Sequence, residues 1–477
     1  MCLRAFSRLR KRERIEVRGP ETPDVSGCLS DRPTLPRPSI ERGDPYADRI
    51  FNTKPRTADT LRDSTFNDLA CRRGSGEIIV RVPHMIRRDY LIIGAGIAGA
   101  SACEGIRKYD KRGSVTLVGA EIFPPYKRWI LSKNFLREKE ANLKKLQEVD
   151  ERWFEKNKIE TRFATVATQF NIERRLAVLA NGETIEFNKA CLAMGSRPVR
   201  PPVAGVNLGN VIYLRTVRDA LALREMAGVE RGIMVVGGGL LACEAAASLR
   251  IMKLKVGLMH RDPYLLNRYL GPETGAWLTD YFTKHGVVLS MGEALNGFEG
   301  KTVLRNIQTK SGNRFPIGLA VVACGAEPNL DLVRNTPLSG PHGSPVTEYL
   351  ETEEKGIYAV GDLAFYPDRI MGGMRRQTHW ENAREQGLVA GANMTGKKRI
   401  RYEQVPYFWT EMFDLHIDFV GDFSVLPTRV EREGTYAKKK FIARYYQGDK
   451  LRGILLCQQP QRDVDSAKTQ LRHALGK

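Results

Sequence analysis

Twice in this chain an apolar strand runs into a cluster of glycines and then into small residues: YLIIGAGIAGASACEG at 90–105 and IMVVGGGLLACEAAAS at 233–248. Core packing alone does not require that pattern. A backbone that must turn sharply and then let another group come close does require it. This repeated feature restricts the fold more than any other in the sequence, because each copy reads as strand, glycine turn and helix.

In the first copy Gly94 permits the tight turn, Gly96 lets backbone approach a pyrophosphate, and Gly99 lets the helix pack on the strand. The helix N-terminus then faces the phosphates. SVTLVGAE is expected to be the next strand, ending at Glu121, 22 residues beyond Gly99, where a carboxylate would accept hydrogen bonds from a ribose. The second copy has Gly237, Gly239 and Ala242, a small residue allowed at the third position, followed by the strand LKVGLMH. There the acid is missing. His260 and Arg261 stand in its place; Arg261 would suit a 2′-phosphate, whereas Asp262 could still reach a ribose hydroxyl. The expected reductant is NADH or NADPH, with a lean to NADPH.

A chain of 477 residues exceeds the size at which one hydrophobic core stops growing, so two or three domains are expected. Residues 1–84 mix arginines with Pro, Asp, Ser and Thr without periodicity and read as a disordered basic extension. The expected organisation is α/β: two Rossmann-like dinucleotide-binding domains and a C-terminal α+β domain. The first domain would be discontinuous (85–202 and 325–399), the second would span 203–324, and the third 400–477, where KKFIARYYQGDKLRGILLC reads as a hairpin turning at QGDK. No run of 18 uncharged apolar residues exists, which argues against a membrane span. Eight scattered cysteines without a CxxC pair argue against a disulfide scaffold or a metal site and fit a reducing compartment. The cytoplasm is the expected location. The opening MCLRAFSRLRKR is acid-free like a transit peptide, but Glu13 and Glu16 follow at once, so organelle targeting stays open. A formal charge of +20 attracts acidic partners. Nucleic acid is possible on charge but not favoured, because no nucleic-acid motif accompanies it.

Further along, PPYKRWILSK (124–133), CLAMGSRPVRPP (191–202), VVACGAEPN (321–329), GIYAVGD (356–362), HWENAREQG (379–387) and PYFWTEMFD (406–414) follow the first glycine turn in order. Together these motifs resemble the pyridine nucleotide-disulfide reductase superfamily over residues 88–477. PYKRWILSK and PYFWTEM are similar to its FAD-dependent ferredoxin reductases, and NMTG at 393–396 to the apoptosis-inducing factors.

The resemblance implies that Gly94, Gly96, Gly99 and Glu121 hold the ADP half of FAD. It implies that Arg128 and Lys133 reach the flavin end, that Gly195 binds the cofactor, that Gly361 and Asp362 meet the pyrophosphate and ribityl chain, and that Trp380 and Trp409 flank the ring. It further implies a catalytic ion pair between Lys133 and Glu244, an acid that a helix as apolar as LLACEAAAS would otherwise hold at a cost. Disulfide reductases carry two cysteines on the first helix; here Cys103 stands alone. The resemblance therefore points to electrons leaving the flavin singly for an acidic ferredoxin- or rubredoxin-like protein, from a monomer or homodimer. The alternative it carries is an apoptosis-inducing-factor-like protein, with slow NADH oxidation and a nucleic-acid- or protein-binding role.

Overall fold

The structure, a computed structural model, describes residues 85–138, 142–229 and 232–476. The expected N-terminal extension lies outside them. The first strand, Met85–Ile93, is the centre of a seven-stranded sheet. It pairs in parallel with Val115–Val118 on one side and with Thr184–Leu192 on the other. Ile159–Arg162 extends the parallel part beyond Val115–Val118. Thr184–Leu192 is long enough to take two further neighbours: its first half meets an antiparallel hairpin, Ala167–Asn171 and Leu176–Leu179, and its second half meets Ile357–Ala359 in parallel. Leu91 and Ile92 are wholly buried, which is why this strand reads as a continuous apolar run and not as an alternation. The strand after the first helix ends at Val118, so Glu121 lies in the loop beyond it and not at the strand end expected from the sequence.

The small residues after the first turn have a packing reason. Helix Ile97–Tyr109 crosses helix Trp380–Met394 with backbones in contact: a Cβ on Gly391 would lie 2.1 Å from the Ala102 carbonyl oxygen, and one on Gly387 2.3 Å from that of Ala98. The chain therefore leaves the first unit, builds the second, and returns to cover the helix it started with.

The second unit is a five-stranded parallel sheet, in the order Val288–Met291, Val256–His260, Ile233–Val236, Leu319–Val322, Val211–Ile212. A three-stranded antiparallel sheet (Leu295–Gly300, Leu304–Thr309, Arg314–Pro316) is inserted before its last-entered strand. The two crossings between the units pair with each other, Ser196–Pro198 running antiparallel to Ala326–Pro328. The C-terminal part is a five-stranded antiparallel sheet backed by helix Gln461–Ala474. Its hairpin of Lys440–Gln447 and Lys450–Cys457 closes on Gly448 and Asp449, with Gly448 at φ +58°. Aromatic packing joins this sheet to the second unit: Trp277 stacks on Tyr436 at 5.1 Å, and Phe282 meets Phe413 at 5.2 Å.

Candidate active site

The first glycine turn is built by close approach. Gly94 has φ +118°, and a Cβ there would lie 2.1 Å from the Ala193 carbonyl oxygen; one on Gly99 would lie 1.9 Å from that of Gly94. At Gly96 a Cβ would meet nothing within 4 Å, so the backbone at the helix start borders open space. A helix N-terminus bordering such a space fits a diphosphate, and the turn therefore suits the ADP half of FAD. Glu121 is engaged on both oxygens: Tyr126 Oη donates at 2.8 Å and an Arg128 guanidinium nitrogen at 2.6 Å. Burial raises the Tyr126 phenol further, so it remains a donor. Arg128, expected at the flavin end, pairs with Glu121. The carboxylate and the Tyr126 ring, 4.6 Å away, draw it there, and its second nitrogen donates to the Arg215 carbonyl at 2.7 Å.

Gly361 (φ +71°) begins a short turn whose amide donates to Gln386 Oε1 at 2.8 Å, and Asp362, 8% exposed, follows it. One Asp362 oxygen accepts from Ser196 Oγ at 2.6 Å and from Arg215 at 2.9 Å. The Arg215 guanidinium also lies 3.5 Å from where a Cβ on Gly195 would stand, so Gly195, Ser196, Arg215 and Asp362 form one cluster. Arg215 and Ser196 escaped the sequence reading. The local signal at Arg215 is only its place before helix Val217–Val229, where Asp219 accepts from the Arg215 and Thr216 amides.

Lys133 and Glu244 meet at the centre. Lys133 Nζ lies 2.8 Å from Glu244 Oε1, with the two side chains 4% and 8% exposed. Lys133 comes from the loop after the first unit's second strand, and Glu244 from helix Leu240–Ile251 of the second unit. Taking both charges out of water is costly unless their remaining hydrogen-bonding capacity is filled. Here it is. Ser132 Oγ donates to Glu244 Oε2 at 2.6 Å, Thr410 Oγ1 to Oε1 at 2.7 Å, and Lys133 Nζ to the Trp129 carbonyl at 3.1 Å.

Trp380 and Trp409 meet edge to face, 6.2 Å between centroids at 75°, and Trp129 packs on Trp409 at 5.8 Å. Trp409 therefore lies between Trp380 and Trp129 in one aromatic cluster. Trp380 Nε1 is buried without a hydrogen-bond partner among the described residues, a donor that lacks an acceptor. His379, just before it, stacks on Phe408 at 4.0 Å, and burial brings its pKa down to about 4, so the imidazole is neutral.

The second glycine turn repeats the first. Gly237 has φ +130°, a Cβ on it would lie 2.3 Å from the Ala323 carbonyl oxygen, and a Cβ on Gly239 would meet nothing within 4 Å. Ala242 is wholly buried behind them. The His260 ring lies flush against Gly238, where a Cβ would approach to 2.3 Å, and burial lowers its pKa. Asp262 is drawn to His260 Nε2 at 3.2 Å and to Arg261 Nε at 3.7 Å, while the Arg261 side chain is 62% exposed. The cysteines of the described residues are all free. Cys103 is fully buried on the first helix, its thiol pushed up to about 12 by burial. Among the described residues no group of His, Cys, Asp or Glu could hold a metal ion, and no helix is long and apolar enough to cross a membrane.

Two dinucleotide turns on parallel sheets, joined by one buried ion pair and completed by an antiparallel C-terminal sheet, define an oxidoreductase that uses two nucleotides. Comparison with known proteins agrees. Residues 88–387 match the family model of pyridine nucleotide-disulphide oxidoreductases. The benzene 1,2-dioxygenase system ferredoxin–NAD(+) reductase subunit of Pseudomonas putida is 32% identical over 331 residues, 69% of this chain and 80% of that protein. Peroxisomal monodehydroascorbate reductase 4 of Arabidopsis thaliana is 29% identical, over 75% of this chain and 76% of that one. The ferredoxin reductase for the CYP199A2 system from Rhodopseudomonas palustris superposes with a TM-score of 0.76 at 28% identity, covering 79% of this chain and 93% of that one. The chain belongs to the pyridine nucleotide-disulphide oxidoreductase family, whose cofactors are FAD and a pyridine nucleotide.

Proposed function

We infer that this protein is an FAD-dependent NAD(P)H oxidoreductase that passes electrons to a small redox protein of the ferredoxin or rubredoxin class. The observation that carries the reading is the buried Lys133–Glu244 pair linking the two nucleotide units, with only a single inert thiol, Cys103, on the helix where disulfide reductases carry two. FAD, when bound, supplies hydride acceptance and the release of single electrons. The chain's own residues bind and orient. Gly94, Gly96, Gly99 and Glu121 take the ADP half, with Arg128 and Tyr126 fixing the carboxylate. Gly195, Gly361, Asp362 and Arg215 take the diphosphate side, and Trp380 and Trp409 lie against the ring. Gly237, Gly239 and Ala242 hold the reductant's diphosphate. Lys133 leaves Glu244 as the nicotinamide enters. Domain limits of 85–202 with 325–399, 203–324 and 400–477 belong to the same reading, and the paired crossings Ser196–Pro198 and Ala326–Pro328 support those near 202 and 325.

The finer preference is for NADPH over NADH. It is supported by an imidazole and an exposed guanidinium, His260 and Arg261, at the end of the strand where a ribose-binding acid would otherwise stand. Against it, relatives such as the benzene dioxygenase reductase subunit carry NAD(+) in their names. The basic charge of +20 suits a steered encounter with an acidic partner.

Anaerobic titration of FAD-reconstituted protein with each nucleotide, followed by flavin bleaching, tests the donor side. Cytochrome c reduction with and without added ferredoxin tests the acceptor side. Bleaching by neither nucleotide sinks the reading. Bleaching followed by rapid turnover with monodehydroascorbate radical, and none with ferredoxin, moves it to the class of the Arabidopsis relative.

A further inference from the structure

Three separate parts of the chain converge on the Glu244 carboxylate. Its own helix belongs to the second unit, Lys133 and Ser132 come from the first, and Thr410 comes from the C-terminal sheet. Thr410 is wholly buried on strand Tyr407–Met412, and its hydroxyl donates to the same oxygen, Oε1, that Lys133 holds. Ser132 serves the other oxygen, and its own carbonyl is fixed by Ser248 Oγ at 2.7 Å.

We propose that Thr410 is a positioning residue of the reductase site: its hydroxyl keeps Glu244 oriented and satisfied when Lys133 withdraws, so the C-terminal sheet takes part in pyridine-nucleotide binding. The proposal rests on the reductase reading above. The physical reason is an asymmetry between two states. With Lys133 in place, the carboxylate has a cation and two hydroxyls, and losing one hydroxyl removes a minor part of its compensation. With Lys133 withdrawn, a buried carboxylate is left with two hydroxyls among the described residues, and losing one removes half of what these supply. Deleting the Thr410 hydroxyl therefore penalises the nucleotide-bound state more than the empty one. The hydroxyl also fixes which carboxylate oxygen faces the space that Lys133 vacates.

Affinity for oxidised pyridine nucleotide, read from the flavin difference spectrum of the holoenzyme, tests this without turnover. Thr410→Ser keeps the hydroxyl and deletes the methyl; Thr410→Val keeps the shape and deletes the hydroxyl. A methyl cannot sit 2.7 Å from Glu244 Oε1 as the hydroxyl does, so Thr410→Ala serves as a second hydroxyl deletion free of that crowding. A hydrogen bond to a charged group corresponds to a roughly tenfold to hundredfold effect, so the Val and Ala variants are expected to bind about tenfold or more weakly, and Thr410→Ser within about twofold of the parent. In the Glu244→Gln background the Thr410→Ala effect is expected to shrink. Parental binding by the Ala variant, or equal losses in Ser and Ala, overturns the proposal and leaves the reductase reading intact. A parent whose flavin spectrum responds to neither nucleotide overturns the reading and the proposal together.

Discussion

Lys133→Met removes the cation from a buried pair and leaves its carboxylate behind. Breaking such a pair from one side costs about 3–5 kcal/mol in general. Glu244 keeps two hydroxyl donors, at 2.6 and 2.7 Å, which already satisfy part of each oxygen. The expected loss therefore lies at the low end, about 3 kcal/mol. Adding Glu244→Gln removes the stranded charge while both hydroxyls still find an acceptor or donor partner, so the double variant is expected to recover about 2 kcal/mol of that loss. Urea unfolding of the FAD-reconstituted proteins, followed by flavin release, measures both variants on one scale. If the double variant is as unstable as Lys133→Met, the penalty comes from lost side-chain packing and the charge argument is wrong. The same proteins give a functional reading. Stopped-flow bleaching by NADPH is expected to slow in Lys133→Met, and an unchanged rate would remove Lys133 from the nicotinamide site.

Gly94→Ala forces a side chain to φ +118° and to 2.1 Å from the Ala193 carbonyl, so the purified protein is expected to lose most of its flavin; a parental ratio of 450 to 280 nm absorbance would show that the turn does not hold FAD. His260→Glu, combined with Arg261→Ala, places an acid where the ribose hydroxyls of NADH would lie, and is expected to raise kcat/KM for NADH relative to NADPH by about tenfold or more. If the ratio stays put, nucleotide choice is made elsewhere. Hydrogen bonds donated to Asp418 and then to Glu411 raise His416 to about 9, against an unfolded value near 6.5. A raised pKa means that the stabilisation is complete below about pH 6.5 and is lost as pH climbs through 9. The stability gap between the parent and His416→Gln should close over that interval, and a gap independent of pH would show that the imidazolium contributes nothing.

Both glycine turns were legible in the sequence because their logic is local: strand, turn and helix lie within sixteen residues, Gly94, Gly99 and Gly237 answer close approaches within that stretch or at the adjoining strand end, and Gly96 and Gly239 border open space. The hairpin at Gly448 and Asp449 was legible for the same reason. Glu244 stood out for a different one, since an acid in an otherwise apolar helix must be compensated wherever its partner lies. Boundaries set by long-range pairing were not legible. The strand through Val118 stops where its neighbour Ile159–Arg162 stops, leaving Glu121 in a loop that nothing in SVTLVGAE foretells. The partners of Arg128 were hidden for a related reason: its motif gives its place in the chain, but the Glu121 carboxylate and the Arg215 carbonyl decide where the guanidinium goes.

The residues that escaped altogether share one property. Arg215 acts on Asp362 across 147 positions, Ser196 on the same acid across 166, and Thr410 on Glu244 across another 166. Each is an ordinary residue for its own neighbourhood: an arginine before a capped helix, a serine at a domain crossing, a threonine in a strand where threonine is favoured. Their roles exist only because the chain leaves the first unit, completes the second and returns. The costly groups, the lone acid and the buried lysine, announce themselves by type, whereas the hydroxyls and guanidinium that offset their cost are cheap anywhere and carry no such mark. A site assembled this way is read from the sequence at its charged centre first, and the groups that orient that centre emerge only when the sheets are in place.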